Sequence, residues 1–263
     1  MTFYKKMPIS RYHKKTFFRI LIYFMMCTLN ISAHAEQVSV AVASSFSAPM
    51  KKLSADFEQS TGHTVRLSFG ATGMLYAQIK NGAPYDVFLA ADMDTPARLE
   101  KEGNAVSGTR FTYAIGNLVL WSAQRNLVDA NGDILKTGNF KHLALASPKL
   151  APYGAAAIET MTKLGLIEAL QAKFVQGDNL SQTFSFIDTG NAELGFIALS
   201  QIYANGKIKS GSAWIIPAHL HSPIRQDAVQ LSRAKDNKAA TALIEYLQTK
   251  KVKVIISSFG YAL

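Results

Sequence analysis

Val38-Ser39-Val40-Ala41-Val42-Ala43-Ser44-Ser45-Phe46-Ser47 alternates as a strand does and then breaks into hydroxyls. The pattern predicts a strand, a short polar turn and a helix. Ser47 is a candidate N-cap, Pro49 falls in a first turn where its missing N–H costs nothing, Leu53 and Phe57 recur at helical spacing, and Gly62 stops the run. The same grammar returns at once. Thr64 to Ser68 reads as a strand, Phe69-Gly70-Ala71-Thr72-Gly73 as a glycine-rich turn, and Met74 to Lys80 as a helix closed by Asn81-Gly82. Val87-Phe88-Leu89-Ala90 is a third, continuously apolar strand, followed by a helix around Pro96 to Lys101. Strands alternating with helices in this way predict a parallel sheet.

Working outward, Phe111 to Trp121 is β-rich and is interrupted at Gly116-Asn117, where the chain can pass into a second lobe. There the pattern restarts. Leu143 to Ala146 and Leu194 to Ile197 read as buried strands, with helices over Tyr153 to Gly165 and Asn179 to Thr189. Ala228 to Leu231 reads as a return strand, and Lys238 to Gln248 has the amphipathic spacing of a closing helix. The expected fold is α/β in two lobes, each a mostly parallel sheet flanked by helices, joined by two β crossings. Lobe I takes residues 36–116 and 225–263, and lobe II residues 117–224.

Residues 1–35 read differently from the rest. Lys5, Lys6, Arg11, Lys14, Lys15 and Arg19 form a basic leader, Ile20 to Ile31 is almost wholly apolar, and Ala33-His34-Ala35 supplies small residues at the cut-site positions. This is the pattern of a cleaved secretory signal peptide, because an apolar run of about a dozen residues is short of the roughly 20 that span a bilayer. Cys27 lacks the small preceding residues of a lipidation site. The whole chain carries a net charge of +10, from 28 basic and 18 acidic residues. Without the six basic residues of the leader the excess falls from 10 to 4, which leaves no nucleic-acid footprint. The one cysteine also lies in the leader, so stability rests on a buried core.

Candidate chemistry gathers where strands end. Ser44-Ser45 follows the first strand and Ala71-Thr72-Gly73 the second, both before helices. In an open parallel sheet ligands collect outside the strand carboxyl ends, where helix N-termini offer unpaired N–H groups. The competing reading is that these hydroxyls only cap helices, their commonest role. The second lobe adds Ala151-Pro152-Tyr153-Gly154 and Asp178-Asn179-Leu180-Ser181, again at helix starts, where a helix-start proline and an Asn or Asp cap are the plainer assignments.

None of these four segments carries Arg, Lys or His, so an anion held there is held by neutral dipoles. Such a site discriminates by proton content, because a protonated phosphate needs an acceptor for its O–H whereas sulfate or molybdate offers acceptors only. Asp178 is the one nearby carboxylate that conflicts with this scheme. Enzyme and metal signatures are missing: there is no GxSxG, GxxxxGK[ST], HExxH or CxxC. His219-Leu220-His221 spaces two imidazoles without a third ligand in reach, Asp92 reads as a helix cap or hinge residue, and Asp86 as a turn residue after Pro84.

Several segments together resemble the periplasmic molybdate-binding proteins of ABC transporters: Val38 to Phe46, Ser68 to Gly73, Gln78 to Pro84, Phe88 to Asp92, Pro152-Tyr153-Gly154 and Glu193 to Phe196. The likeness covers nearly the whole chain after the leader. It implies a two-lobed, hinge-closing periplasmic-binding-protein fold that buries an oxyanion, molybdate or tungstate, and passes it to an inner-membrane ABC permease. It further implies a periplasmic monomer with no cofactor and no catalysis. Residue by residue, Ser45 with Ser44 beside it, Thr72, Tyr153 and Leu180 match the ligand positions, Leu180 through its backbone N–H. One departure is Ala198, where some members of the family place a ligand tyrosine. The same scaffold tuned to sulfate, or an exported enzyme on a similar fold, are the rival readings.

Overall fold

The computed structural model describes residues 1–4, 35–204 and 206–263. The basic and apolar parts of the leader and Cys27 lie outside the described residues. Within the unit Ala35–Leu263, strand β1 (Gln37–Ala43) is flanked in parallel by β2 (Thr64–Gly70) and β3 (Val87–Leu89). Its alternation is what loads both faces of the sheet. Val38, Val40 and Val42 pack with Phe46, Met50, Leu53 and Phe57 of the segment leading into and forming α1 (Ser47–Thr61). Ala41 points the other way, among Leu75 of α2 (Thr72–Lys80) and Leu99 of α3 (Asp94–Lys101). β12 (Ile224–Gln230) then inserts antiparallel between β3 and β4 (Phe111–Gly116), giving the order β2-β1-β3-β12-β4.

Only Asn117 separates β4 from β5 (Leu118–Ser122), which starts the second sheet. That sheet has the order β11-β5-β8-β6-β7, with β6 (Leu143–Ala146), β7 (Phe174–Gly177), β8 (Leu194–Ala198) and β11 (Ser212–Ile215). A small hairpin, β9 (Tyr203–Ala204) and β10 (Lys207–Ile208), stands apart. The sheet is covered by α4 (Pro152–Lys163) and α5 (Leu180–Asp188), with the single turn α6 (Leu199–Ile202) after β8. Its own core is built around Trp121, Leu143, Leu145, Met161 and Phe196. The chain returns to the first sheet between β11 and β12 and ends in α7 (Lys238–Leu247) and α8 (Lys250–Ser258). This is the two-lobed α/β fold: in each sheet three strands pair in parallel at one end, and the pairings at the other end, where the chain crosses, are antiparallel.

Local details depart from the expectation. Ser47 does not cap α1: Ser44–Phe46 form a 3₁₀ turn that runs directly into the helix, so Phe46 takes the cap position and no side chain bonds there. α2 begins at Thr72 rather than Met74, closed by the Leu75 N–H donating to Ala71 O at 3.0 Å. β7 was not foreseen, because Phe174 to Gln176 are partly or fully exposed and show no alternation. Asp86 is more than a turn residue, since its carboxylate accepts the Ser39 N–H at 2.8 Å and so anchors β1.

Candidate functional site

Four strands of the two sheets deliver the site. Ser44 and Ser45 follow β1, Thr72 follows β2, Tyr153 lies beyond β6 and Leu180 beyond β7. β1 neighbours β2 and β6 neighbours β7, so each lobe presents two adjacent strand ends, each leading into a helix. All five predicted residues line one cavity, with Ala43, Gly70, Ala71, Ala91, Ala151 and Pro152. Its volume is about 10 Å³, near the least that holds one water. No Arg, Lys, His or carboxylate lines it. Asp178 is exposed, away from it. Roomier spaces lie elsewhere. One of about 310 Å³ is bounded by Phe111, Leu247, Lys253 and Leu263, and another of about 310 Å³ runs along the seam beside Asp92, Met93 and Glu159. Buried hydroxyls, not volume, single out the small one.

The hydrogen bonds decide what these groups offer. Ser44 Oγ accepts the Leu180 N–H across the lobes at 3.1 Å. Thr72 Oγ1 accepts the Ala91 N–H at 3.0 Å, and Tyr153 Oη accepts from Gln226 Nε2 at 3.0 Å. Each oxygen therefore already has a donor, and neither the Ser44 nor the Thr72 hydroxyl has a protein acceptor among the described residues, so both keep a proton to give; the Tyr153 phenol also stands beside the Tyr261 oxygen. Ser45 is 2% exposed, and its Oγ is the one fully buried side-chain N or O without a partner among the described residues. Leaving a buried hydroxyl unpaired is unfavourable by about 1–3 kcal/mol, which sets Ser45 Oγ apart from the other buried hydroxyls.

The backbone around these hydroxyls is tied down. Ser45 O accepts from Ser200 Oγ of the second lobe and from Tyr261 Oη, both at 2.8 Å. Gly73 N–H donates to Leu150 O across the seam at 2.9 Å. Asn179 caps α5, its Oδ1 accepting the N–H groups of Ser181 and Gln182, which leaves the Leu180 N–H free to point toward the first lobe. Two glycines make room. A Cβ on Gly154 would stand 2.2 Å from Ala146 O, and one on Gly116 would stand 2.0 Å from Tyr153 Oη. Burial pushes the Tyr153 and Tyr113 phenols well above the usual range and Tyr261 to about 12, so all three stay protonated near neutrality.

Asp92 sits at the seam. Burial raises its pKa, and its carboxylate accepts the Thr95 N–H at 2.8 Å and the Thr95 hydroxyl at 3.0 Å, which is the capping role expected of it. His219 and His221 take part in no cluster of three metal-ligating side chains among the described residues. Gln226, Tyr113, Ser200 and Tyr261 stand behind the cavity-lining residues, and no motif in the sequence points to them. Tyr113 lies within the β-rich stretch from Phe111 to Trp121, and Gln226 two residues before the return strand expected over Ala228 to Leu231, which begins at Ile224 in the structure.

Comparison with known proteins matches residues 38–262 to the family described as bacterial extracellular solute-binding protein. The chain is 55% identical over 235 residues to the molybdate-binding protein ModA of Azotobacter vinelandii, covering 89% of this chain and 93% of that protein. It is 48% identical over 233 residues to the molybdate-binding protein ModA of Rhodobacter capsulatus, with 89% and 91% covered. The solved structure of the Azotobacter vinelandii periplasmic molybdate-binding protein superposes with a TM-score of 0.83 at 41% identity, over 86% of this chain and 99% of that one.

Proposed function

Since this chain belongs to the bacterial extracellular solute-binding protein family, we propose that it captures molybdate, or the isosteric tungstate, and delivers it to an ABC importer. The observation that carries the reading is Ser45 Oγ, a buried hydroxyl without a protein partner among the described residues, in a cavity where the Ser44 and Thr72 hydroxyls also have protons left to donate. Ser44, Ser45, Thr72 and Tyr153 supply hydroxyls and Leu180 its backbone N–H. All are neutral, and they suit a dianion that brings acceptors only. Capture is binding without chemistry, needs no cofactor, and takes place in the periplasm after removal of residues 1–35. The protein acts as a monomer. Lobe I, residues 36–116 with 225–263, and lobe II, residues 117–224, close on the ion about the crossings next to Asn117 and Ile224. The closed pair then presents a surface to the permease.

Sulfate carries the same charge and the same number of oxygens, so selection against it rests on the size of the closed cavity. Titration calorimetry of the chain lacking residues 1–35 with molybdate, tungstate and sulfate tests the assignment. Micromolar or tighter binding of the first two, with sulfate far weaker, is the expected result. Tight sulfate binding, or no melting shift with molybdate, overturns it, because a ligand selective for the folded state must raise stability.

A further inference from the structure

Gln226 is wholly buried on β12, in the first lobe, yet its amide reaches the hydroxyl of Tyr153 in the second. Nε2 donates to Tyr153 Oη at 3.0 Å, and at the far end of the amide Tyr113 Oη donates to Oε1 at 3.0 Å. Tyr113 Oη also lies 2.8 Å from Ala90 O. Tyr261 directs its own proton at Ser45 O or Ser200 Oγ, and its oxygen stands beside both Tyr153 and the Gln226 amide. The amide nitrogen thus faces the Tyr153 oxygen, while the one Tyr113 proton serves the amide oxygen or Ala90 O. The contact exists because Gly116 has no side chain: a Cβ there would meet Gln226 Nε2 at 2.7 Å as well as Tyr153 Oη.

We propose that Gln226 is a positioning residue that sets ligand specificity: by filling the acceptor side of Tyr153 Oη, it makes that phenol an obligate donor toward the bound ion. The inference rests on the oxyanion reading above and deepens it. A free phenol can turn to accept a proton as readily as give one, and then tolerates a protonated ligand such as hydrogenphosphate. With its acceptor side occupied, Tyr153 rewards only a bare oxygen. Proton discrimination in this neutral cavity is therefore built from behind, by a side chain that never touches the ligand.

Gln226→Glu is the test, because a buried glutamate donates when protonated and only accepts when ionised, and burial raises its pKa toward the working range. The titratable groups facing this position are Tyr113, Tyr153 and Tyr261; the carboxylates that act on Tyr113 are Asp92 and Asp227, the latter paired with Arg110. Calorimetry with sodium molybdate is expected to show the variant weakened on the order of tenfold to a hundredfold near pH 8.5. The loss recovers toward pH 5.5, while the unaltered chain stays flat. Adding Gln226→Glu to Tyr153→Phe is expected to bring no further loss. Gln226→Met, which carries no charge and keeps the volume, is expected to raise the ratio of hydrogenphosphate to molybdate affinity. A pH-independent loss, an additive loss in the double variant, or an unchanged ratio in Gln226→Met overturns the proposal. Failure of the unaltered chain to bind molybdate sinks the functional reading instead, and this inference with it.

Discussion

Leu180 donates its backbone N–H to Ser44 Oγ at 3.1 Å, joining the first turn of a helix in one lobe to the turn after β1 of the other. Both groups line a cavity of about 10 Å³, too small for a four-oxygen anion. An ion entering it must therefore separate them, exchanging one internal bond for bonds to ligand oxygens. That exchange couples capture to the distance between the lobes.

Leu180→Pro isolates the N–H. Leu180 is the first helical residue after Asn179, whose extended backbone (φ −153°, ψ 173°) suits a following proline. The helix is expected to persist by circular dichroism, with about 2–5 kcal/mol lost through the truncated buried side chain. Calorimetry is expected to show molybdate binding weakened by roughly tenfold or more.

Ser45→Ala and Thr72→Val should part company. Removing the unpartnered Ser45 hydroxyl leaves nothing orphaned, so the free protein melts at the same temperature or higher while affinity falls by roughly tenfold to a hundredfold. Thr72→Val strands the buried Ala91 N–H and lowers stability by about 1–3 kcal/mol as well as affinity. Melting scans with and without molybdate read both; equal effects on the free protein would remove Ser45 from its assigned role.

Gly116→Ala reaches the site from the crossing strand. The new methyl meets Tyr153 Oη and Gln226 Nε2 inside van der Waals contact, which displaces the phenol. Overpacking is expected to destabilise the fold by about 1–3 kcal/mol and to weaken binding well beyond what Tyr153→Phe alone does. An intact affinity would mean that the phenol has room to move.

Binding is expected to be flat from about pH 6 to 9, since no imidazole, ammonium or carboxylate lines the cavity and burial keeps Tyr153, Tyr113 and Tyr261 protonated. In alkali the sign follows from linkage. Phenols raised above their usual value of 10 stabilise the fold fully below that pH, and the contribution is lost as pH climbs toward the folded values, about 12 for Tyr261. Tyrosinate absorbance and loss of ellipticity should rise together above pH 10. A bell-shaped affinity near neutrality would point to an unsuspected charged group at the ligand.

Much of this arrangement is legible in the chain. The alternation of Val38 to Ala43, the break at Gly116-Asn117 and the helix starts at Pro152 and Asn179 all survive into the structure, because each is a local rule about backbone or capping. β7 escaped notice because an edge strand with exposed side chains needs no hydrophobic pattern. Ser47 misled because a 3₁₀ turn made a cap unnecessary.

Residue order alone settled which groups stand at strand ends, that they are uncharged, and that strands and helices recur in two sets; these depend on period, turn chemistry and composition. Only the tertiary structure decided which protons remain available. The partners that fill Ser44, Thr72 and Tyr153, and the lack of one for Ser45, come from Leu180, Ala91 and Gln226, up to 136 residues away in the chain. Hydrogen-bond direction is a property of the assembled neighbourhood, and no local pattern encodes it.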